Sequence, residues 1–383
     1  MQALNSLMEV IFWTSVGFMI YAYAGYPLLL VILSLFRNRP VKRENITPMV
    51  TFIITAYNEE LRIRDKLDNT LAQNYPADRL EIVVASDCST DHTDSIVKAY
   101  EPHGIRLIRA DERKGKEAAQ KLAVQTTSGE ILVFSDVATI LPPYGISTIV
   151  KNFHDQTVGC VSSVDCFVDS DGKLSGEGAY VRYEMFLRQL ETKVNTLVGL
   201  SGSFFAACRE VCEPWAEDLQ SDFNTLLNTV KLGLRGVSDP NSVGYYENLA
   251  DERKEYERKV RTVLRGISVL MKSLPMLNPI KYHLFSWQLF SHKLCRWLIP
   301  FAMILAFVSN MLLIPRSAFY QYTFGFQVTF YVMALAYLWI QRLPKKDMLR
   351  IPSFFLMANL SILDAWYRYV RGERILGWDP SKR

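Results

Sequence analysis

The sequence predicts an α/β domain of the doubly wound type set between apolar helices, and three features predict it. Short β-rich runs alternate with amphipathic helical stretches between residues 46 and 250, those runs are apolar throughout rather than at every second position, and the most apolar segments lie at the two ends of the chain. Continuous apolar strands suit a parallel sheet covered on both faces, whereas one solvated face gives alternation. A chain of 383 residues, 49% apolar and only 21% charged, has material for a sizeable core and more than one structural unit.

At the N-terminus, Val10 to Phe36 carries no charge and exceeds the ~20 residues that a bilayer-spanning helix needs. No basic region precedes it, no small-residue cleavage site follows it, and RNRPVKR comes directly after. Residues 1–45 therefore read as an uncleaved anchor, with the next domain on the cytoplasmic side.

Within 46–250, TFIIT (51–55), EIVVAS (81–86), RLIRA (106–110) and EILVFSD (130–136) read as strands. Glu59–Gln73, Asp91–Tyr100 and Lys116–Thr126 read as the helices between them. Residues 251–296 read as amphipathic, interfacial helices, and the stretch from Val263 to Trp297 has His283, Trp287 and Trp297 among its polar and aromatic residues. In 297–383, Trp297–Ile314 and Phe324–Ile340 are each just long enough to cross and form a helical hairpin. The following run breaks at Asp364 and ends in a basic tail, which fits a re-entrant or interfacial helix better than a further span.

The six cysteines are scattered, and only Cys208 and Cys212 are close, with no second pair or nearby histidine to complete a zinc site; reduced, buried thiols are expected. The net charge of +4 is mild and mostly juxtamembrane, which suits anionic lipid headgroups and not nucleic acid.

Three strand ends carry polar clusters: AYNEE after the first strand, SDCSTD after the second and SDVAT after the fourth. In an open parallel sheet, ligands bind at the carboxyl ends of strands. Asp91, like Asn58 and Glu59, can also serve a helix start, whereas Asp87 sits at the strand end before the turn. Lys116, at a Gly-containing helix start, is placed either for diphosphate or for solvent. Asp222 in LQSDFNTLL is either a helix N-cap or a carboxylate able to take a proton. Arg261 and Arg265, one turn apart in ERKVRTVLRG, can reach phosphate oxygens or lipid headgroups.

Taken in order, YAYAGYP, TFIITAYNEE, SDCSTDHT, RKGKEAAQ, ILVFSDVATILPP, YVRYEMFLRQLE, GLSGSFFAACRE, LQSDFNTLL, SHKLCRWLIPF and the closing GWDPSKR resemble the membrane-integrated family 2 glycosyltransferases, which include hyaluronan, cellulose and other exopolysaccharide synthases and lipid-directed sugar transferases. The resemblance covers nearly the whole chain. It implies a GT-A fold, a nucleotide sugar, usually a UDP sugar, and a divalent cation, magnesium or manganese. By the same likeness Ala56, Tyr57 and Glu59 would contact the nucleoside, Asp87 the base, Lys116 and Ser135 the nucleotide sugar, and Asp136 the metal. Asp222 would be the general base, Gly202 and Ser203 would line the acceptor pocket, and Glu184 and Arg182 would order that region. Arg261 and Arg265 stand where the family carries Gln-x-x-Arg-Trp, and Asp136-Val137-Ala138 stands where it carries Asp-x-Asp. One side-chain ligand is therefore expected for the metal, and processive synthesis is not implied.

These readings describe an inner-membrane, multi-pass, inverting glycosyltransferase acting on a glycan or lipid-linked acceptor in exopolysaccharide or cell-surface glycan synthesis. With about three spans, a synthase of this kind needs oligomers, an export partner or an exit between helices and lipid. The alternatives are a non-processive glycolipid-forming transferase and a non-catalytic, glycosyltransferase-like scaffold.

Overall fold

The structure is a computed structural model that describes residues 2–168, 179–247, 252–339 and 347–375. The closing GWDPSKR, the boundary expected at residues 250 and 251, and the expected span end at Ile340 lie outside the described residues. The chain divides into two compact units, one drawn from residues 1–29, 251–267 and 286–374 and the other from 30–250, 268–285 and the C-terminal residues.

The second unit is built on a seven-stranded sheet: β1 (Val50–Ala56), β2 (Leu80–Ser86), β3 (Ile105–Arg109), β4 (Ile131–Asp136), β5 (Val158–Val168), β6 (Phe204–Cys208) and β7 (Arg235–Glu247), in the order β3-β2-β1-β4-β6-β5-β7. The four strands read from sequence are parallel neighbours. Every residue of β1 is buried, because the helices Ile63–Leu71, Thr93–Ala99 and Lys116–Thr126 cover the sheet. Phe52, Ile54, Val84 and Val133 join Ile63, Leu67 and Val97 in one apolar cluster. Phe134 stacks between Phe205 and Trp215, with centroids 4.7 and 4.9 Å away, an arrangement that adds about 0.5–1.5 kcal/mol per pair to the burial of the rings.

Beyond these four strands the sheet is mixed: β6 runs antiparallel to both β4 and β5. Its composition, FFAAC, fits a buried strand of either direction, and the direction follows from the ladder Ser135↔Phe204 to Ile131↔Cys208. The composition of β7 also conceals it, because Asp239-Pro240-Asn241 reads as a turn. The ladder with β5 passes from Ser162↔Ser238 to Val164↔Val243, leaving those residues in a bulge where proline is tolerated. Asp239, fully buried there, accepts from Asn152 Nδ2 at 2.8 Å.

The first unit is helical. Gln2–Phe36 and Leu284–Leu313 are long and apolar enough to cross a membrane, and their outward faces carry Leu28, Leu35, Ile304 and Leu305. The second of these runs through the boundary expected at Trp297. Each contains a π-helical turn, Tyr21–Gly25 and Phe290–Leu294, and Tyr21 Oη joins the two through Ser291 Oγ at 2.6 Å and Trp287 Nε1 at 2.9 Å. Ala318–Trp339 has the length of a span, but Gln321, Thr323 and Gln327 interrupt its apolar run, and Asp347–Val370 follows with Pro352 inside it.

All six cysteines are free thiols. Burial pushes Cys160 and Cys208 up to about 12 and holds Cys212 well above the ordinary thiol range, so these thiols are unreactive.

Candidate active site

The sheet register brings the polar strand ends together. Thr55 pairs with Asp136 and Ala56 with Ser86, so β1, β2 and β4 finish side by side. The chain leaves β1 toward β2 on one side and reaches β4 on the other, the arrangement that opens a crevice at the carboxyl edge of a doubly wound sheet.

After β1, Asn58 takes a positive φ of 51° and turns the chain over the second cluster. Asn58 Oδ1 accepts the Thr90 amide at 2.8 Å, Thr93 Oγ1 accepts the Glu59 amide at 2.8 Å, and Asp91 Oδ2 accepts the Glu60 amide at 3.1 Å. Asp91 also takes the Thr93 amide at 2.9 Å, so it serves the start of helix Thr93–Ala99 as its helix-end reading expects. Glu59 is buried against Arg62 at 2.7 Å; burial raises its carboxyl pKa and the guanidinium opposes the rise.

Asp87 is fully buried, and its oxygens accept the amides of Lys114 at 2.9 Å and Gly115 at 3.0 Å. Burial raises its pKa in spite of those amides. Gly115 has φ 103°, a conformation that L-residues with a Cβ rarely adopt, and from it the helix Lys116–Thr126 begins. The Asp87 carboxylate thus folds RKGK back over the end of β2. It leaves the Arg113 guanidinium 3.9 Å from the centre of the Tyr57 ring, a cation–π pair at the mouth of the crevice.

Lys116 points inward. Its Nζ lies 2.5 Å from Asp136 Oδ1 and donates to the Gly202 carbonyl at 3.1 Å. Ser135 is buried behind Asp136, and its hydroxyl accepts from Lys66 Nζ at 2.7 Å. Asp136 and Ala138 are half-buried at the end of β4, while Val137 and Thr139 are buried.

Lys66 is a site residue that the motifs do not reveal. It is fully buried, donates to the Thr139 carbonyl at 2.6 Å as well as to Ser135, and so pins the turn that carries Asp136. Burial lowers its pKa from 10.5 to about 7, against the pull of the Asp136 carboxylate. The folded chain then binds fewer protons than the unfolded chain between pH 7 and 10.5, so the contribution of this lysine to stability rises with pH across that window. Thermal unfolding of the parent is therefore expected to shift upward between pH 7 and pH 9 relative to Lys66→Met. Parallel pH profiles for the two proteins would contradict the burial cost assigned to Lys66.

On the far side of the crevice, the turn Ser201-Gly202-Ser203 leads into β6. The Ser203 carbonyl accepts the Asp136 amide at 2.9 Å. Helix Ser221–Lys231 starts opposite, with Gln220 at its N-cap position and Asp222 as its second residue. Asp222 Oδ2 accepts from Gln220 Nε2 at 3.1 Å and Oδ1 from the Phe223 amide at 2.6 Å. A Cβ added at Gly202 would lie 2.7 Å from Asp222 Oδ2, so glycine is what admits the carboxylate here. Glu117 Oε1 accepts the Ser221 amide at 3.3 Å and links the two helix starts that carry Lys116 and Asp222. Asp165 on β5, with no motif to announce it, accepts from Ser201 Oγ at 2.6 Å and Ser203 Oγ at 2.5 Å.

Tyr57, Glu59, Asp87, Lys116, Asp136, Gly202, Ser203 and Asp222 thus belong to one unit and share these strand and helix ends. Glu184 and Arg182 lie on the helix Ala179–Val194 of that unit. Arg261 and Arg265 lie on the helix Glu252–Lys272, in the part of it that belongs to the helical unit. Among the described residues no three His, Cys, Asp or Glu side chains come together to hold a metal ion, and Asp136 supplies one hard carboxylate oxygen donor at the crevice.

The glycosyl transferase family 2 profile matches residues 51–214, from β1 past β6. The poly-β-1,6-N-acetyl-D-glucosamine synthase of Staphylococcus aureus is 25% identical over 195 residues, covering 49% of this chain and 46% of the relative. A probable glycosyltransferase of Bacillus subtilis, YdaM, is 35% identical over 133 residues, 33% of this chain and 32% of its own. The chain spans about half or less of the length of these curated relatives. Among solved structures, the mannosyltransferase PcManGT from Pyrobaculum calidifontis, in complex with GDP-Man and Mn2+, matches with a TM-score of 0.71 at 22% identity, covering 96% of this chain and 100% of that one. The strand order and the crevice at the ends of β1, β2 and β4 accompany a match of residues 51–214 to the glycosyl transferase family 2 profile, and the fold is the GT-A fold it shares with the solved mannosyltransferase.

Proposed function

We propose that this chain is a membrane-associated, inverting glycosyltransferase that moves a sugar from a nucleotide sugar to a glycan or lipid-linked acceptor, in the synthesis of an exopolysaccharide or cell-surface glycan. The observation that carries the reading is the meeting of Asp136, Lys116 and Asp222 around Gly202 at the carboxyl edge of a family 2 domain. Ala56, Tyr57 and Glu59, together with the loop that Asp87 holds, receive the nucleoside. Lys116 faces the donor diphosphate and answers the charge that grows on it as the sugar leaves. Asp222 takes the proton of the acceptor hydroxyl as that hydroxyl attacks the anomeric carbon from the face opposite the diphosphate, which inverts the centre. The apolar helices hold the domain at a membrane, and RNRPVKR directs it to the cytoplasmic face.

A divalent cation fits the donor set, because magnesium and manganese complete their shells with phosphate and water oxygens around one or two carboxylates. Bound at Asp136, it would supply positive charge for the departing diphosphate. Ala138→Asp is expected to tighten Mn2+ binding by about 10-fold, since Ala138 stands two residues after Asp136 at the end of β4 and is half-buried like it, and a second carboxylate adds a hard ligand. Calorimetric titration of Mn2+ into the folded variant measures this directly, and unchanged affinity would mean that the strand end does not face the ion.

The reading itself is tested by incubating the purified full chain with a panel of UDP and GDP sugars and Mn2+ and following nucleoside diphosphate release with sugar transfer. UDP donors are included because the family resemblance implies them, and GDP donors because GDP-Man is the ligand of the solved mannosyltransferase. Transfer from one donor, abolished by chelator and restored by Mn2+ or Mg2+, is expected. Release of no nucleotide from any donor would reject it.

A further inference from the structure

We propose that Asp165 is a positioning residue for sugar transfer, a role that rests on the activity proposed above: it clamps the Ser201-Gly202-Ser203 turn on which Asp136, Lys116 and Asp222 converge.

The backbone ladder between β5 and β6 ends at Ser162↔Phe205. Beyond it, side chains of β5 take over the pairing. Ser162 Oγ accepts the Ser201 amide at 2.8 Å, Ser163 Oγ donates to the Phe204 carbonyl at 2.6 Å, and Asp165 Oδ1 accepts the hydroxyls of both Ser201 and Ser203. The two Asp165 contacts, 2.6 and 2.5 Å, lie in the range of charge-assisted hydrogen bonds from hydroxyl to carboxylate.

The other face of the turn serves the reaction. The Ser203 carbonyl orients the backbone of Asp136, the Gly202 carbonyl anchors the Lys116 ammonium, and the bare Cα of Gly202 forms the floor under Asp222 Oδ2. A shift of this turn therefore displaces the diphosphate cation, the metal ligand and the base together. Misplacement of about 1 Å in such a constellation costs on the order of 10²-fold in rate. Asp165 touches none of the reacting atoms, and its effect passes through the two serines.

Two variants of the full chain in detergent separate this role from a general structural one. Asp165→Asn keeps an oxygen that accepts both hydroxyls, and Asp165→Ala removes it. In Asp165→Ala, hydrogen exchange at the Ser201 and Asp136 amides is expected to quicken. Its kcat is expected to fall about 30-fold or more with donor KM within about 3-fold, and donor hydrolysis to gain on transfer. Asp165→Asn is expected to retain parental exchange and kcat within about 5-fold. Equal turnover in Asp165→Ala and parent, a loss that only tracks the folded fraction, or an Asp165→Asn as impaired as Asp165→Ala would each overturn the proposal. If the parent transfers no sugar from any donor, the functional reading fails on its own and the positioning role falls with it. The exchange data still judge the clamp: faster exchange in Asp165→Ala but not Asp165→Asn upholds it, and equal exchange refutes it.

Discussion

Asp222→Asn is expected to bind the nucleotide sugar as the parent does and to transfer it at least 10²-fold more slowly, because removing a general base raises the transition state and leaves the ground state alone. The substitution is sterically silent. An asparagine retains an oxygen for the Gln220 amide or the Phe223 backbone, and the side chain stays over Gly202. The helix-start reading of Asp222 predicts something else. Gln220 occupies the N-cap position, so what Asp222 gives its helix is a negative charge in the first turn, worth about 0.3–1 kcal/mol. Loss of that contribution lowers stability slightly and turnover only in proportion. Unfolding and turnover measured on the same preparation separate the two readings, and parental turnover in Asp222→Asn would remove the residue from the chemistry.

Asp136→Asn is expected to fail earlier, at binding. The carboxylate is both the candidate metal ligand and the partner of the buried Lys116 ammonium, so the variant is expected to lose Mn2+ and donor affinity by about 10-fold or more and turnover by more than 10²-fold. It also leaves a lysine charge without its nearest carboxylate, and a stability loss of about 1–3 kcal/mol is expected from that alone. Pairing Asp136→Asn with Lys116→Met removes the stranded charge. The double variant is expected to recover stability while metal binding stays weak. Recovery of metal binding along with stability would show that Asp136 acts through the fold and not as a ligand.

The four parallel strands were legible because burial on both faces writes itself into the sequence as continuous apolar runs, and the helix beginning at Lys116 was legible from the glycine before it. β7 was not, because its bulge at Asp239-Pro240-Asn241 has the composition of a turn, and the direction of β6 has no local code at all. Within the site, the strand-end positions of Asp87 and Asp136 could be read, but the partners of Asp87 could not: its carboxylate holds the amides of a loop some distance along the chain, which only folding brings over it. Lys66 carried a signal that its residue type obscures. Ile63, Lys66, Leu67 and Thr70 repeat with helical period on the buried face, so the lysine had to point into the sheet. Asp165 carried none, since its serine partners come from a turn on the far side of a helix in sequence.

The active-site assignment is tested most directly by assaying the parent, Asp222→Asn and Asp136→Asn side by side for donor binding and sugar transfer in the presence of Mn2+. The expected pattern is a parent that binds and transfers one nucleotide sugar, an Asp222→Asn that binds it and does not transfer, and an Asp136→Asn that does neither. Three proteins that bind and transfer alike would contradict the assignment of the crevice at the ends of β1, β2 and β4 as the active site.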